Sequence, residues 1–393
     1  MPPSAATTGG SVGVTETKRV VLYTEDDPLV LDSGATLAPV EVAYETYGEL
    51  DADASNAVVA CHALTGDAHA AGHHGDPTKR GWWDNLIGPG KPIDTNRFFI
   101  VSSNLLGGCK GTTGPSSTDP TTGRPYGLRF PLLTVADLVK PQRALLAHLG
   151  IDRPAAAIGG SLGGMQILQW ALDHPDELGA AILVCASSRL SAQNIAFSAV
   201  GRASITHDEH FSGGDYYGTG RSPNVGLAVA RMAAHITYVS EQSLEAKFGR
   251  RRSANATGGG FDADFEVERY LNHQAASFLR RFDANSYLYL SRAMDYFDPF
   301  ADPAACARLE RCRTRFLLVS FDTDWRFPTS HSVAIAERLE DAGADVQLSE
   351  IASPHGHDSF LLDLDEYHRA IREFLAPQTA TAERRRVQNT TTE

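Results

Sequence analysis

The residue around which the sequence suggests chemistry is a serine at a sharp turn, Ser161. Residues 155–158 form a short apolar run, and the turn Gly-Gly-Ser-Leu-Gly follows at residues 159–163. Beyond it, apolar residues recur at the spacing of one helical face, at Met165, Leu168, Ala171 and Leu172. A strand, a G-x-S-x-G turn and a helix in this order hold a serine hydroxyl above a sheet, near backbone N–H groups that stabilise an oxyanion. The pattern predicts that Ser161 is a nucleophile rather than part of a glycine-rich packing turn.

A serine nucleophile needs a general base, and the base needs an acid to orient it. Enzymes with this turn place the acid and then the histidine later in the chain. Here Asp322 and Asp324 follow the strand pattern at residues 315–321, and His355 and His357 follow the next strand pattern. Both pairs would lie at the carboxyl edge of a parallel sheet, where such sheets build their sites. Spacing alone does not choose between the two acids or between the two histidines.

The elements that must position these residues alternate between strand and helix. Strand patterns occur at residues 40–47, 57–64, 97–104, 155–158, 180–186, 315–321 and 346–351. Helix patterns occur at residues 135–149, after the serine turn, and at residues 329–342 and 359–375. This alternation predicts the α/β class, with a mostly parallel sheet and helices on both faces.

The alternation is interrupted between residues 189 and 313, where the patterns are helical. Helices are predicted at residues 224–239, 241–248, 265–282 and 286–296, with glycine-rich loops at residues 213–214 and 258–260. We expect residues 189–313 to form a helical lid inserted between core segments 18–188 and 314–376. Residues 1–17 and 377–393 have the composition of disordered tails.

Composition excludes several classes of function. The 393 residues carry a formal net charge of −13, which argues against a nucleic-acid partner, and no apolar run is long enough for a membrane span. Five scattered cysteines and the absence of a signal peptide predict a cytoplasmic protein. The loop at residues 107–114 lacks the spacing of a phosphate loop. His69, His73, His74 and Asp76 have metal-like spacing but no second ligand cluster, so we expect neither a metal nor a bound cofactor.

Five motifs in order along the chain resemble the homoserine O-acyltransferase family of α/β-hydrolase-fold enzymes. They are residues 64–69, 104–115, 159–171, 230–240 and 356–358, and the resemblance extends from about Tyr44 to Leu375. The resemblance implies an α/β-hydrolase fold, and it implies acyl-CoA and L-homoserine as small-molecule substrates in methionine biosynthesis. We also expect a homodimer, for which the lid offers a surface.

The resemblance also implies catalytic roles. Ser161 matches the nucleophile, Asp324 the acid and His357 the base. The oxyanion hole would consist of the backbone N–H groups of Leu64 and Leu162. The implied reaction is ping-pong: the serine attacks the thioester, CoA leaves, and the homoserine hydroxyl attacks the acyl-serine.

Substrate-binding roles follow from the same resemblance. Arg231 matches a residue that binds the homoserine carboxylate, and Asp358 matches one that binds its ammonium group. Residues 324–327 are Asp-Trp-Arg-Phe, which departs from the Trp-Leu-Phe or Arg-Leu-Tyr usual after the acid in acetyl-transferring members. This segment is similar to that of members using succinyl-CoA. Arg326 would then pair the free carboxylate of a succinyl group, whose unpaired burial costs several kcal/mol.

Other functions remain open from the sequence. Acetyl-CoA is the alternative donor, and serine is an alternative acceptor. A plain serine esterase would hydrolyse thioesters without homoserine. A binding protein without activity is disfavoured because the serine, acid and histidine are all present.

Overall fold

The computed structural model describes residues 10–253 and 261–377, and its centre is an eight-stranded sheet. The strands are β1 Lys18–Tyr23, β2 Val40–Tyr47, β3 Ala57–Cys61, β4 Phe99–Ser103, β5 Ala156–Gly160, β6 Ala180–Val184, β7 Arg315–Phe321 and β8 Asp345–Ile351. Their order across the sheet is β1-β2-β4-β3-β5-β6-β7-β8. The pairs β1–β2 and β2–β4 are antiparallel, and the other five are parallel. The predicted mostly parallel sheet is confirmed.

Ten helices accompany the sheet. They are α1 Val135–His148, α2 Leu162–Asp173, α3 Ala192–Thr206, α4 Asn224–Tyr238, α5 Glu241–Lys247, α6 Glu266–Leu279, α7 Ala284–Asp295, α8 Pro303–Leu309, α9 Thr329–Asp341 and α10 Asp365–Phe374, all within the described residues. Short 3₁₀ turns occur at Gly127–Arg129, Ser212–Gly214, Pro299–Ala301 and Gly356–Leu361. None of the described helices combines the length and apolar character needed to cross a membrane.

Helices cover both faces of the sheet, as predicted. One apolar cluster joins α1, α2 and α9 to sheet residues such as Val59 and Leu318. A second cluster joins α10 to Val58 and Val319, which are the sequence neighbours of Val59 and Leu318. Because successive strand residues point to opposite faces, the two clusters lie on opposite sides of the sheet.

Some elements differ from the prediction. The expected helix at residues 359–375 is two elements, the 3₁₀ turn Gly356–Leu361 and α10, because Leu362 and Leu364 have extended backbones. The patterns did not indicate α3, whose buried residues are Asn194, Ser198, Gly201 and Ile205 and so carry little apolar periodicity. They also did not indicate β1, an edge strand that has no fully buried residue.

The described residues between β6 and β7 form the helices α3 to α8. Helix α4 contacts the core at the carboxyl edge of the sheet, where it packs against the turn Gly356–Leu361, whereas α8 packs against α2. Trp325 Nε1 donates a hydrogen bond to the carbonyl of Val239, at the end of α4 (3.1 Å). The glycine loop predicted at residues 258–260 lies outside the described residues.

The N-terminal segment corrects one expectation. Residues 1–9 and 378–393 of the predicted tails lie outside the described residues, but residues 10–17 are bonded to the core. Gly10 N donates to Pro89 O (2.8 Å), and Thr15 N donates to His73 O (3.0 Å). These backbone hydrogen bonds hold the segment against the core. Its small and polar side chains gave no indication of this in the sequence.

Next to this segment, Glu45 of β2 is a fully buried carboxylate. It accepts hydrogen bonds from Thr17 Oγ1 (2.8 Å) and Tyr47 Oη (3.0 Å), and it contacts His69 Nδ1 (3.0 Å) and His74 Nε2 (2.8 Å). Burial opposes ionisation, but the hydrogen bonds from His69 and Thr17 outweigh it and lower the pKa of Glu45 to about 2. Burial would lower the pKa of His69, but the hydrogen bond to Glu45 raises it.

We expect Glu45→Gln to lower the free energy of unfolding by about 2 kcal/mol near neutral pH, because the ionised carboxylate stabilises the folded state. The folded pKa lies below the ordinary value of 4.5, so this contribution is present above that value and is lost as the pH falls towards 2. The difference between wild type and variant in urea unfolding should therefore begin to shrink below about pH 4.5 and vanish only as the pH approaches 2. Glu41→Gln, on the same strand in an exposed ion pair with Arg19 (3.2 Å), is the control with a small effect. A difference that does not change with pH would contradict the role of charge.

Candidate active site

Ser161 lies between β5 and α2, in a backbone conformation that non-glycine residues rarely adopt (φ 56°, ψ −121°). Such a conformation costs about 1–3 kcal/mol and persists only where the surroundings enforce it. A Cβ on Gly163 would lie 2.1 Å from the carbonyl oxygen of Cys61, and one on Gly159 would lie 2.4 Å from the carbonyl carbon of Gly163. These contacts require glycine at both positions. Without side chains there, the start of α2 packs directly against the ends of β3 and β5.

His357 and Asp324 form a buried pair beside this turn. Nδ1 of His357 lies 2.7 Å from Oδ2 of Asp324, and both side chains are almost fully buried. The other oxygen of Asp324 accepts hydrogen bonds from the backbone N–H groups of Arg326 and Phe327, each at 2.9 Å. Nε2 of His357 is buried and has no hydrogen-bond partner among the described residues. This arrangement leaves Nε2 available to take a proton from a hydroxyl in the same cavity.

The geometry distinguishes the two acids and the two histidines that the sequence left open. Asp322 uses Oδ1 to accept a hydrogen bond from Ser353 N (2.8 Å), so it supports the backbone of the histidine loop. His357 lines the cavity that contains Ser161, and neither Asp322 nor His355 is among the residues that line it. The arrangement therefore favours Asp324 and His357.

The cavity that contains Ser161, here called the inner pocket, has about 570 Å³ of empty space, part of which is open to solvent. Its walls are Ala63, Leu64, Thr65, Ser161, Arg231, Tyr238, Arg281, Met294, Arg326, His357, Asp358, Phe360 and Leu361. The structure thus brings six of the eight site residues predicted from the sequence to one cavity, and a seventh, Asp324, contacts His357 without lining the cavity. The eighth, Leu162, follows Ser161 directly as the first residue of α2, where a backbone N–H has no acceptor within the helix.

Two arginines of the inner pocket are more than nine-tenths buried, Arg231 (9% exposed) and Arg326 (6% exposed). The Nε atom of each is buried without a hydrogen-bond partner among the described residues. Arg326 donates from Nη1 to Thr237 Oγ1 (2.8 Å). The ring of Tyr238 lies against both guanidinium groups, 5.5 Å from Arg231 and 5.3 Å from Arg326. Because buried donors without partners are costly, these side chains are suited to an anionic ligand.

Asp358 is the acidic group of the inner pocket. Desolvation raises the pKa of this carboxyl, and the positive charges of His357 and Arg231 act against that rise. Asp358 and Arg231 line the same cavity, so a carboxyl and a guanidinium face the same space. A ligand carrying both a carboxylate and an ammonium group matches such a pair.

Sequence reasoning missed a residue beside the acid and the base. Cys185 follows β6 directly with a positive φ of 39°, and its Sγ lies within 4.8 Å of ligand atoms of Asp324 and His357. Burial raises the pKa of this thiol well above its ordinary value, so it stays neutral beside the acid. The sequence placed Cys185 in a buried strand but gave no signal of the backbone turn that brings it to the site.

The histidines with metal-like spacing do not all lie together in the structure. His69 and His74 meet Glu45, which the spacing did not reveal, while His73 and Asp76 are not part of that group. The Glu45 oxygens accept hydrogen bonds from Thr17 and Tyr47 and contact ring nitrogens of His69 and His74.

Comparisons with known proteins agree with this geometry. The family model described as the α/β hydrolase fold matches residues 56–364. A homoserine O-succinyltransferase from Nocardioides sp. strain JS614 is 60% identical over 366 residues, which cover 93% of this chain and 99% of the relative. The chain belongs to the homoserine O-acyltransferase family. The family and the fold predicted from the sequence are therefore confirmed, and the chain is an enzyme of an acyltransferase family.

The family includes members named for different donors. A homoserine O-acetyltransferase from Rhodospirillum rubrum is 52% identical over 353 residues, which cover 89% of this chain and 90% of the relative. The crystal structure of homoserine O-acetyltransferase from Bacillus anthracis superimposes with a TM-score of 0.85 at 27% identity, covering 93% of this chain and 98% of that one. Membership of the family therefore does not specify the acyl donor.

We expect Asp324→Asn to slow the covalent labelling of Ser161 by a fluorophosphonate about a thousandfold or more, because His357 loses the carboxylate that fixes its tautomer. Asp322→Asn is the matched control and should change the rate less than about tenfold, since Asp322 contacts the backbone of Ser353. Labelling would be followed by mass spectrometry, with Ser161→Ala giving the background rate and circular dichroism testing the fold. A larger loss in Asp322→Asn would show that the other acid serves the histidine.

Proposed function

We propose that the enzyme transfers a succinyl group from succinyl-CoA to the hydroxyl of L-homoserine, as a step of methionine biosynthesis. Ser161 attacks the thioester carbonyl while His357, oriented by Asp324, takes the serine proton. The N–H groups of Leu64 and Leu162 stabilise the tetrahedral oxyanion, and CoA leaves with the proton that His357 returns. The acyl-CoA is a co-substrate, and the chemistry requires no bound cofactor or metal.

The second half-reaction uses the same groups in the opposite order. The homoserine hydroxyl gives its proton to His357 and attacks the acyl-serine, and His357 then protonates Ser161 as the ester leaves. Water must be kept from the acyl-serine, and Arg231, Tyr238, Arg281 and Met294, which line the inner pocket from the inserted helical segment, are suited to this role.

The observation that supports L-homoserine as the acceptor is the pair of acidic and basic side chains in the inner pocket. Arg231 and Asp358 both line it, together with Ser161 and His357. An α-amino acid presents a carboxylate to the guanidinium and an ammonium to the carboxylate, which leaves its side-chain hydroxyl for the reaction. A plain ester substrate would leave both charged groups without partners.

The observation that supports succinyl-CoA as the donor is the buried position of Arg326. It is 6% exposed, lines the inner pocket and has an unpartnered Nε. An acetyl group would leave this guanidinium facing a methyl group, whereas the distal carboxylate of a succinyl group would pair with it. The 60% identical relative is named as a succinyltransferase, and the 52% identical one as an acetyltransferase, so acetyl-CoA is the second candidate.

We also propose that the enzyme is a cytoplasmic homodimer. On α4, the exposed apolar residues Val225 (74% exposed), Val229 (42%) and Ile236 (40%) form a stripe on the outer side of the lid, which supports association there. All five cysteines are free, which fits a reducing compartment. A monomer at micromolar concentration in analytical ultracentrifugation would contradict the dimer.

We expect Arg231→Ala to raise the KM for homoserine about a hundredfold, because the acceptor carboxylate loses a charge-assisted hydrogen bond. Acylation of Ser161, measured as a burst of CoA release before homoserine is added, should change little. Arg231→Lys keeps a positive charge, so its KM for homoserine should lie between those of the wild type and Arg231→Ala. Loss of the burst together with turnover would show that Arg231 acts on the donor or supports the fold.

We expect Arg326→Leu to shift the preference for succinyl-CoA over acetyl-CoA about a hundredfold towards acetyl-CoA, since the lost interaction is a buried charge-assisted hydrogen bond. The measurement is kcat/KM for CoA release with each donor. Arg326→Lys is the control, because it keeps the charge and should keep part of the preference. Equal losses with both donors would mean that Arg326 supports the loop of Asp324, and a wild-type enzyme that prefers acetyl-CoA would show that the proposed donor is wrong.

A further inference from the structure

Thr237 of α4 holds one side of a guanidinium group that lines the inner pocket. Its hydroxyl accepts a hydrogen bond from Nη1 of Arg326 (2.8 Å) and donates one to the carbonyl of Ala234 (2.6 Å). Because the single hydroxyl hydrogen is used for Ala234, the oxygen is left to accept from Arg326. The bond to a carbonyl three residues earlier in the helix also restricts the rotamer of Thr237. Thr237 is 1% exposed and does not line the inner pocket, so it acts on the pocket only through Arg326.

The backbone of Arg326 is held in place as well. Its N–H donates to Oδ1 of Asp324 (2.9 Å), and its carbonyl accepts a hydrogen bond from Nδ2 of Asn194 (2.9 Å). The guanidinium lies against the rings of Tyr238 (5.3 Å) and Phe327 (5.4 Å). Since both ends of the side chain are held, the direction in which the guanidinium points is set before any ligand binds.

These contacts leave one edge of the guanidinium for a ligand. A guanidinium binds a carboxylate in a fork of two parallel hydrogen bonds, and Nε and Nη2 form such a fork on the edge away from Nη1. Thr237 uses Nη1, whereas Nε of Arg326 is buried without a hydrogen-bond partner among the described residues. Because a buried N–H group without a partner is costly, this edge is suited to the two oxygens of a carboxylate.

The two acidic groups nearest the reaction have other partners. Asp324 contacts His357 through Oδ2, and its Oδ1 accepts hydrogen bonds from backbone N–H groups rather than from the guanidinium. Burial raises the pKa of Asp358, and the positive charge of Arg231 opposes this rise more than that of Arg326 does. The charge of Arg326 is therefore largely left for an anionic group that enters the pocket.

We propose that Thr237 is a positioning residue for the choice of acyl donor: it holds Nη1 so that the Nε–Nη2 edge of Arg326 faces an acyl group on Ser161. This inference rests on the proposed function, in which that edge pairs with the distal carboxylate of a succinyl group. Without the hydroxyl of Thr237, the guanidinium is free to turn, and the carboxylate has to order its partner when it binds. Because Arg231 lies on the same helix, α4 would both bind the acceptor and orient the arginine that binds the donor.

The test removes the hydroxyl and keeps the shape of the side chain. Thr237→Val should lower the ratio of kcat/KM for succinyl-CoA to that for acetyl-CoA about tenfold, since the charge-assisted hydrogen bonds of Arg326 weaken but are not lost. Thr237→Ser keeps the hydroxyl and should keep most of this ratio. Thr206→Val is the matched control, because Thr206 also donates to a carbonyl three residues earlier (Ala203 O, 3.3 Å) but is exposed at the end of α3.

A double-mutant cycle tests whether the effect of Thr237 passes through Arg326. In the Arg326→Leu background, Thr237→Val should not change the ratio further, because the guanidinium that it positions is absent. Additive effects of the two substitutions on the ratio would overturn the proposal. Equal losses with both donors, together with slower fluorophosphonate labelling of Ser161, would also overturn it and would show that Thr237 supports the loop of Asp324.

The crystal structure of Thr237→Val separates this inference from the proposed donor. If the wild type prefers acetyl-CoA but the guanidinium of Arg326 is displaced in Thr237→Val, the positioning role stands and the proposed donor falls. If the wild type prefers succinyl-CoA and Thr237→Val changes neither the ratio nor the position of the guanidinium, the donor stands and the role of Thr237 is wrong.

Discussion

The site depends on a contact between two backbones. The Cα of Gly163 lies so close to the carbonyl of Cys61 that no side chain fits between α2 and the end of β3. This contact fixes where α2 begins, and the hydrogen bond from Ser161 N to Val184 O (2.9 Å) fixes the serine from the other side. Between them they impose the rare φ of Ser161. The strain at the serine is thus maintained by the parallel strands β3, β5 and β6 rather than by the turn itself.

The remaining groups reach the serine from loops of different strands. Leu64 follows β3, Asp324 follows β7 and His357 follows β8, so the carboxyl edge of the sheet gathers residues that are far apart in sequence. Arg231 comes from α4, on the other side of the cavity. Burial then determines what the groups can do. It leaves His357 Nε2 and the Nε atoms of Arg231 and Arg326 without partners among the described residues, and a ligand or a transition state can supply them.

The parts of this arrangement with local sequence patterns could be predicted. The parallel sheet, the elbow at Ser161 and the helical segment before β7 all have clear periodicity or turn residues. The choice of Asp324 over Asp322 depends on hydrogen bonds to His357 and to backbone N–H groups, and spacing does not encode these. Helix α3 was missed because it buries polar and small residues against its neighbours. Cys185 and Glu45 were missed because their partners come from distant segments.

The loop that carries Asp324 is bonded to the lid through successive residues. Trp325 donates to Val239 O, Arg326 donates to Thr237, and the carbonyl of Arg326 accepts from Asn194 on α3 (2.9 Å). Local unfolding of α3 or α4 would therefore release the segment that holds Asp324, and with it the orientation of His357. The lid cannot be regarded as an exchangeable module on an autonomous hydrolytic core. A chain from which it had been deleted would keep the strained turn at Ser161 but lose the contacts that hold the Asp324–His357 pair in place.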